Sequence, residues 1–174
     1  MILMMKACSA GMAMPDAISQ VQHFLQSQSV LTLATLDAEG VWSAPVLYAA
    51  DVQSEQPKLY FLSSASSRHI KSLSDNSQIA ASIYAPYKDD WQAIKGLQMH
   101  GQITELAYQQ RKDFETLYFM RFPEISKIIE QPGTEHEEKI ASAFEKSGYF
   151  YFSPTYIRIT DNSDSFANRQ EWYF

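Results

Sequence analysis

The chain has a single cysteine, Cys8, in 174 residues, so it can form no internal disulfide and no cysteine-based zinc site. It also lacks a basic excess: 14 Lys and Arg stand against 20 Asp and Glu, a formal charge of −6. No basic run or glycine–arginine tract offsets that balance, which argues against a nucleic-acid partner. No stretch approaches the ~20 apolar residues of a membrane span. The P-loop, the dinucleotide fingerprint and the G-x-S-x-G elbow are all missing. Glu135-His136-Glu137-Glu138-Lys139 lacks the second histidine of a zinc-protease helix. Asp161-Asn162-Ser163-Asp164 lacks the glycine and closing glutamate of a calcium loop. No metal site is expected.

What is present is ordinary for a globular chain: 45% apolar and 20% charged residues. The length fits one domain that buries roughly 70% of its unfolded surface. Aromatics reach 13%, with ten Tyr and ten Phe, which suits a β-rich core or a stacking site. In MILMMKACSAGMAMP, Lys6 follows the apolar run instead of preceding it, the wrong order for a signal peptide. Residues 1–14 are therefore expected to be a disordered leader, with Met12 or Met14 as alternative starts, and residues 15–174 one domain. The expected location is the cytoplasm, which the lone Cys8 suits.

Period decides the elements. Pro15-Asp16 opens a helix with Ile18, Val21, Phe24 and Leu25 on one stripe. Ser29 to Leu36 and Val41 to Ala50 read as two strands of a hairpin around Asp37-Ala38-Glu39-Gly40. Pro45 cannot donate a ladder hydrogen bond, so it marks an edge, a bulge or backbone open to something else. Leu59 to Leu62, Ile79 to Tyr84 and Trp91 to Leu106 are further strands, the last carrying Gly96 and Gly101. Helices follow over Tyr108 to Phe122, Glu124 to Glu130 and Thr134 to Lys146, the third opened by a Thr134/Glu137 capping box. Tyr149 to Phe152 and Thr155 to Thr160, flanking Pro154, read as a final strand. About six strands with flanking helices and no βαβ alternation predict a small antiparallel barrel, mainly β.

The chemistry gathers around Leu59 to Asn76, LYFLSSASSRHIKSLSDN. A strand runs into a serine-rich turn and a short helix, Ser67 to Asp75, that Ser64 or Ser66 can cap. Arg68, His69 and Lys71 crowd its N-terminus, where a helix favours negative charge. A bound phosphate would reverse that conflict. Four other segments join it. Ser43-Ala44-Pro45-Val46 offers open backbone, Leu62-Ser63 ends a strand in a hydroxyl, Gly96 to Gly101, with Gln98 between, leaves room for something flat, and Arg169 with Trp172 offers a cation and a stacking ring. Together they describe a planar, phosphate-bearing ligand. His100 beside Gly101 is a weaker candidate as a haem ligand.

LATLDAEGVWSAPVLY, LYFLSSASSRHIKSL, IKGLQMHGQITEL and ITDNSDSFANRQEW, in this order and spacing, resemble the flavin-binding split barrels related to pyridoxamine 5'-phosphate oxidase. Within them the chain is similar to a small uncharacterised bacterial branch. The resemblance covers Phe24 to Leu106 and Tyr149 to Trp172. It implies a homodimer of six-stranded split barrels with FMN at the interface. Arg68 matches the phosphate-binding arginine, and His69 stands where a lysine is usual. Ser43, Ala44, Pro45, Val46, Leu62 and Ser63 match strands lining the flavin, with Arg169 and Trp172 on a C-terminal segment that reaches it. The arginine and lysine that bracket the Ser43 strand in the oxidase are absent, which argues against pyridoxamine phosphate as substrate. The resemblance thus implies an FMN-dependent oxidoreductase acting on a small molecule. The alternative is a split-barrel module that binds flavin, haem or another small ligand without redox catalysis. No residue is nominated as catalytic acid or base.

Overall fold

A computed structural model describes residues 14–74, 78–90, 92–162 and 169–174, with side chains from residue 18 onward. The expected leader, apart from Met14, lies outside them. Helix α1 (Met14–Ser27) leads into β1 (Val30–Asp37) and β2 (Gly40–Asp51), the predicted hairpin, closed by the two residues 38–39. Strand β3 (Lys58–Ser64), the four-residue α2 (Arg68–Lys71) and a 3₁₀ turn (Ser72–Ser74) follow. Then come β4 (Gln78–Tyr84), β5 (Lys95–Glu105), α3 (Arg111–Arg121), α4 (Pro123–Glu130) and α5 (Glu135–Glu145). Strands β6 (Ser147–Asp161) and β7 (Arg169–Tyr173) close the chain.

All pairings are antiparallel, in the order β3-β2-β1-β4-β5-β6-β7, and β3 also pairs with β6. Six strands thus close a ring, as the predicted barrel requires, and β7 lies outside it against β6. The ring is split on one side. Tyr48 to Asp51 of β2 pair with β3, whereas residues 40–47 pair with β1 alone. Pro45 therefore stands on an unpaired edge, where its missing N–H costs nothing. Helix α2 packs on β1 and β2 at that opening, and its Ile70, with Leu73 of the following turn, reaches the core.

Alternation along the strands sends Leu31, Leu33, Tyr48, Leu59, Phe61, Ile79, Ile83, Leu97, Phe152 and Ile157 inward. The buried face of α1 covers this core with Val21, Phe24 and Leu25, and the Tyr48 hydroxyl donates to the Leu25 carbonyl at 2.7 Å. Helices α3 to α5 cover part of the outside, packing Phe114, Tyr118 and Ile125 over Tyr60, Leu62, Tyr149 and Tyr151. Thr134 caps α5 as its spacing predicts, its hydroxyl accepting from the Glu137 amide at 3.2 Å.

The expected final strand, β6, runs unbroken through Pro154, because a bulge at His100/Gly101 places Gly101 opposite that proline. Gly101 has no room for a side chain: an added Cβ would sit against the Ser153 carbonyl and 2.7 Å from Pro154 Cα. At Gly96 it would meet the Ile83 carbonyl at 2.9 Å. Close backbone accounts for both glycines. Among the described residues no helix is long and apolar enough to cross a membrane.

Candidate functional site

The serine-rich turn is bonded to itself. The Ser66 amide donates to the Ser64 hydroxyl at 3.2 Å, and the Ser67 hydroxyl donates to the Ser64 carbonyl at 2.8 Å. The residue at the cap position of α2 is Ser67, and its side chain caps nothing. Ser64 and Ser66, the predicted caps, hydrogen-bond each other at 2.8 Å. With four residues, α2 is too short to build a dipole of consequence.

Arg68 has partners of its own. Its Nε and one terminal nitrogen donate to the two oxygens of Asp37, each at 2.8 Å. That same terminal nitrogen reaches the Gly40 carbonyl at 3.4 Å, and the other lies 3.6 Å from a Glu39 carboxylate oxygen. The guanidinium plane covers the Trp42 ring, 4.8 Å from its centroid. This fork pairing holds the Asp37 carboxyl below the usual carboxylate range and pushes Arg68 further up. The Asp37-Ala38-Glu39-Gly40 turn, read only as a turn in the sequence, is thus the counter-charge of Arg68. Thirty-one residues separate Asp37 from Arg68, and no periodic signal spans that gap.

His69 turns the other way. Its Nε2 lies 2.8 Å from the Ser63 hydroxyl and 3.3 Å from that of Ser67. Burial lowers its pKa, so the ring is neutral at pH 7. A fixed positive charge is absent here.

The remaining candidates fall on three surfaces. Ala44 and Trp172 are buried, and Val46 packs against the same core. Trp172 is therefore packing, not a stacking surface for a ligand. Leu62 points away from Ser63, into a cavity of about 340 Å³ beneath α3 to α5 whose lining includes Glu115, Phe119 and Tyr149. Ser43, Pro45, Gln98 and Arg169 are exposed, and with Gly96 they lie on the outer face of the sheet.

That outer face is the feature the sequence did not single out. Register aligns Ser43, Ala34, Ala80, His100, Tyr156 and Tyr173 in one row across six strands. Pro45, Thr32, Ser82, Gln98, Arg158 and Glu171 form the adjacent row. Small side chains make a shallow floor over β1, β2 and β4. His100 and Tyr156 stack at 5.0 Å on its flank, and Arg158 Nε donates to Gln98 at 2.6 Å. Val30, Leu36, Val41, Leu47, Tyr84 and Tyr173, all exposed, share this side of the sheet. Arg68 fits a ligand phosphate poorly, because it already faces two carboxylates. Among the described residues no group of three or more His, Cys, Asp or Glu is placed to hold a metal.

Comparison with known proteins places this geometry. The sequence profile described as pyridoxamine 5'-phosphate oxidase matches residues 18–143. A UPF0306 protein of Yersinia enterocolitica is 31% identical over 118 residues, covering 68% of this chain and 78% of that protein. The fold is shared with a heme binding protein from Mycobacterium smegmatis at TM-score 0.65 and 16% identity, over 93% of this chain and 60% of that one. It is also shared with a FAD-binding protein from Mesorhizobium loti at TM-score 0.57 and 14% identity, over 80% of this chain and 89% of that one.

Proposed function

This chain belongs to the pyridoxamine 5'-phosphate oxidase family, and from that membership we propose that it is a flavin-binding split barrel working as a homodimer. The observation that carries the proposal is the uncovered outer face, with its small-residue floor and its rim of exposed Val30, Val41, Leu47 and Tyr84. Contiguous apolar surface rimmed by polar groups is where partners and ligands bind. A second copy over this face would bury the apolar rim and enclose a flat ring on the floor. FMN, the flavin expected from the sequence, is the proposed ligand, and the structurally similar FAD-binding protein supports the class. Bound flavin supplies hydride or electron transfer, and the chain binds and orients it. On this reading the protein is a flavin-dependent oxidoreductase of a small molecule.

Haem is the second reading. His100 supports it, since Nδ1 lies 3.2 Å from the Thr155 hydroxyl while the ring lies flat on Tyr156 at the edge of the same floor. A structurally similar protein that binds heme supports it too. The absorbance spectrum of the purified protein separates the two. Flavin bands near ~450 nm support the first reading. A Soret band supports the second, and quenching by neither added flavin nor added haemin removes both.

A further inference from the structure

Resting on the flavin reading, we infer that Asp37 sets the ligand specificity of this site by neutralising Arg68, so that the chain binds flavins by the ring without selecting for the 5'-phosphate. Arg68 is the candidate cation for that phosphate, yet its charge is already countered. Two of its N–H groups donate to Asp37 at 2.8 Å, and the remaining terminal nitrogen lies 3.6 Å from a Glu39 carboxylate oxygen. A phosphate dianion arriving at this guanidinium would meet two carboxylates at the same place. It must either displace Asp37 from a bidentate pair or accept like-charge repulsion. The other nearby basic groups do not change the sign. His69 is neutral and bonded to Ser63, and Lys71 is exposed to solvent, where its charge is screened.

The pair also has a structural task that explains why Arg68 is held this way. It ties the helix after β3 to the tip of the β1–β2 hairpin, across the split where β2 and β3 stop pairing. Trp42 lies beneath the guanidinium and completes the closure. Asp37 is thus shared between closing the barrel and denying the cation to a ligand. Glu39, 81% exposed and 3.6 Å away, adds charge without fixing geometry.

Fluorescence titration of riboflavin and of FMN into the purified protein tests this, read as the ratio of the two dissociation constants. For the wild type the constants should agree within about threefold, since no charge-assisted hydrogen bond distinguishes the ligands. Asp37→Asn keeps an oxygen for the Glu39 amide, which Asp37 accepts at 2.9 Å, but removes the countercharge. It should shift the ratio toward FMN by about tenfold or more, the worth of one charge-assisted bond. Arg68→Gln, which does not depend on that variant folding, should leave the wild-type ratio unchanged. A wild type that prefers FMN by tenfold or more, with the preference lost in Arg68→Gln, overturns the inference and leaves the flavin reading standing. An unchanged ratio in a folded Asp37→Asn overturns it equally. If neither flavin binds the wild type, the flavin reading falls and this inference with it.

Discussion

Trp172 on β7 stands opposite Ile157 on β6, and both point into the barrel core, Trp172 with 5% of its surface exposed. The C-terminal strand is therefore part of the fold, not a flap over a ligand. Trp172→Ala should lower the stability of the ligand-free protein by about 3–5 kcal/mol, the usual cost of deleting a buried aromatic. For a chain of this length that is a fall in Tm of about 6–20 °C, readable by calorimetry. A loss of flavin binding with an unchanged melting temperature would contradict the packing role.

Arg68→Ala should also destabilise the ligand-free protein. The sequence alone argues the reverse, because a cation at a helix N-terminus is unfavourable. The Asp37 pair overrides that small term and anchors the helix across the split. The pH dependence carries the signature. Asp37 is held below its ordinary value of 3.8, so its contribution is complete above that value and is lost as pH falls through the lowered one. Thermal melts from pH 7 down to about 3 should show the wild-type advantage over Arg68→Ala shrinking only below about pH 4. An advantage constant to pH 3 would show that the ion pair contributes nothing.

His69 gives a second, separate pH window. Burial lowers its pKa from 6.5, so the folded state takes up a proton later than the unfolded chain does. Stability is therefore full above about 6.5 and declines as pH falls toward the lowered value. His69→Gln should flatten denaturant-unfolding curves compared between pH 7.5 and 5. An equally steep loss in the variant would assign the dependence elsewhere.

The hairpin, the apolar stripe of α1 and the capped α5 were legible because each is written in residues close together in sequence. Val21, Phe24 and Leu25 recur at helical spacing, and Thr134 sits three residues from Glu137. The site was less legible for the same reason. Serines 63 to 67 and Arg68 were read as open donors, yet Asp37, a turn residue 31 positions earlier, occupies the guanidinium. The two glycines of β5 suggested room for a ligand, while the cause is the backbone of Ile83 and Ser153. The final strand was legible on both sides of Pro154, but not the bulge opposite it that lets β6 continue. Trp172 looked like a stacking surface because nothing in QEWYF tells which aromatic points inward; pairing with β6 decides it.

The last prediction concerns the outer face. Val41 is 76% exposed, Tyr84 69% and Leu47 42%, on a sheet surface that helices α3 to α5 leave bare. An isolated exposed apolar residue needs no explanation, but Leu47 of β2 and Tyr84 of β4 flank exposed Val30 of β1 in one row. Light scattering of the wild type should give about 40 kDa, twice the 19.9 kDa of the chain. Leu47→Glu would set an unpaired charge in the apolar rim that a second copy would bury, which a desolvated contact does not tolerate. Because Leu47 makes little of the monomer's core, that variant should keep its circular dichroism and return the monomer mass. Met120→Glu on α3, 73% exposed and away from the sheet face, should leave the dimer intact. A monomeric wild type, or a Leu47→Glu variant that stays dimeric, would place the interface elsewhere or remove it.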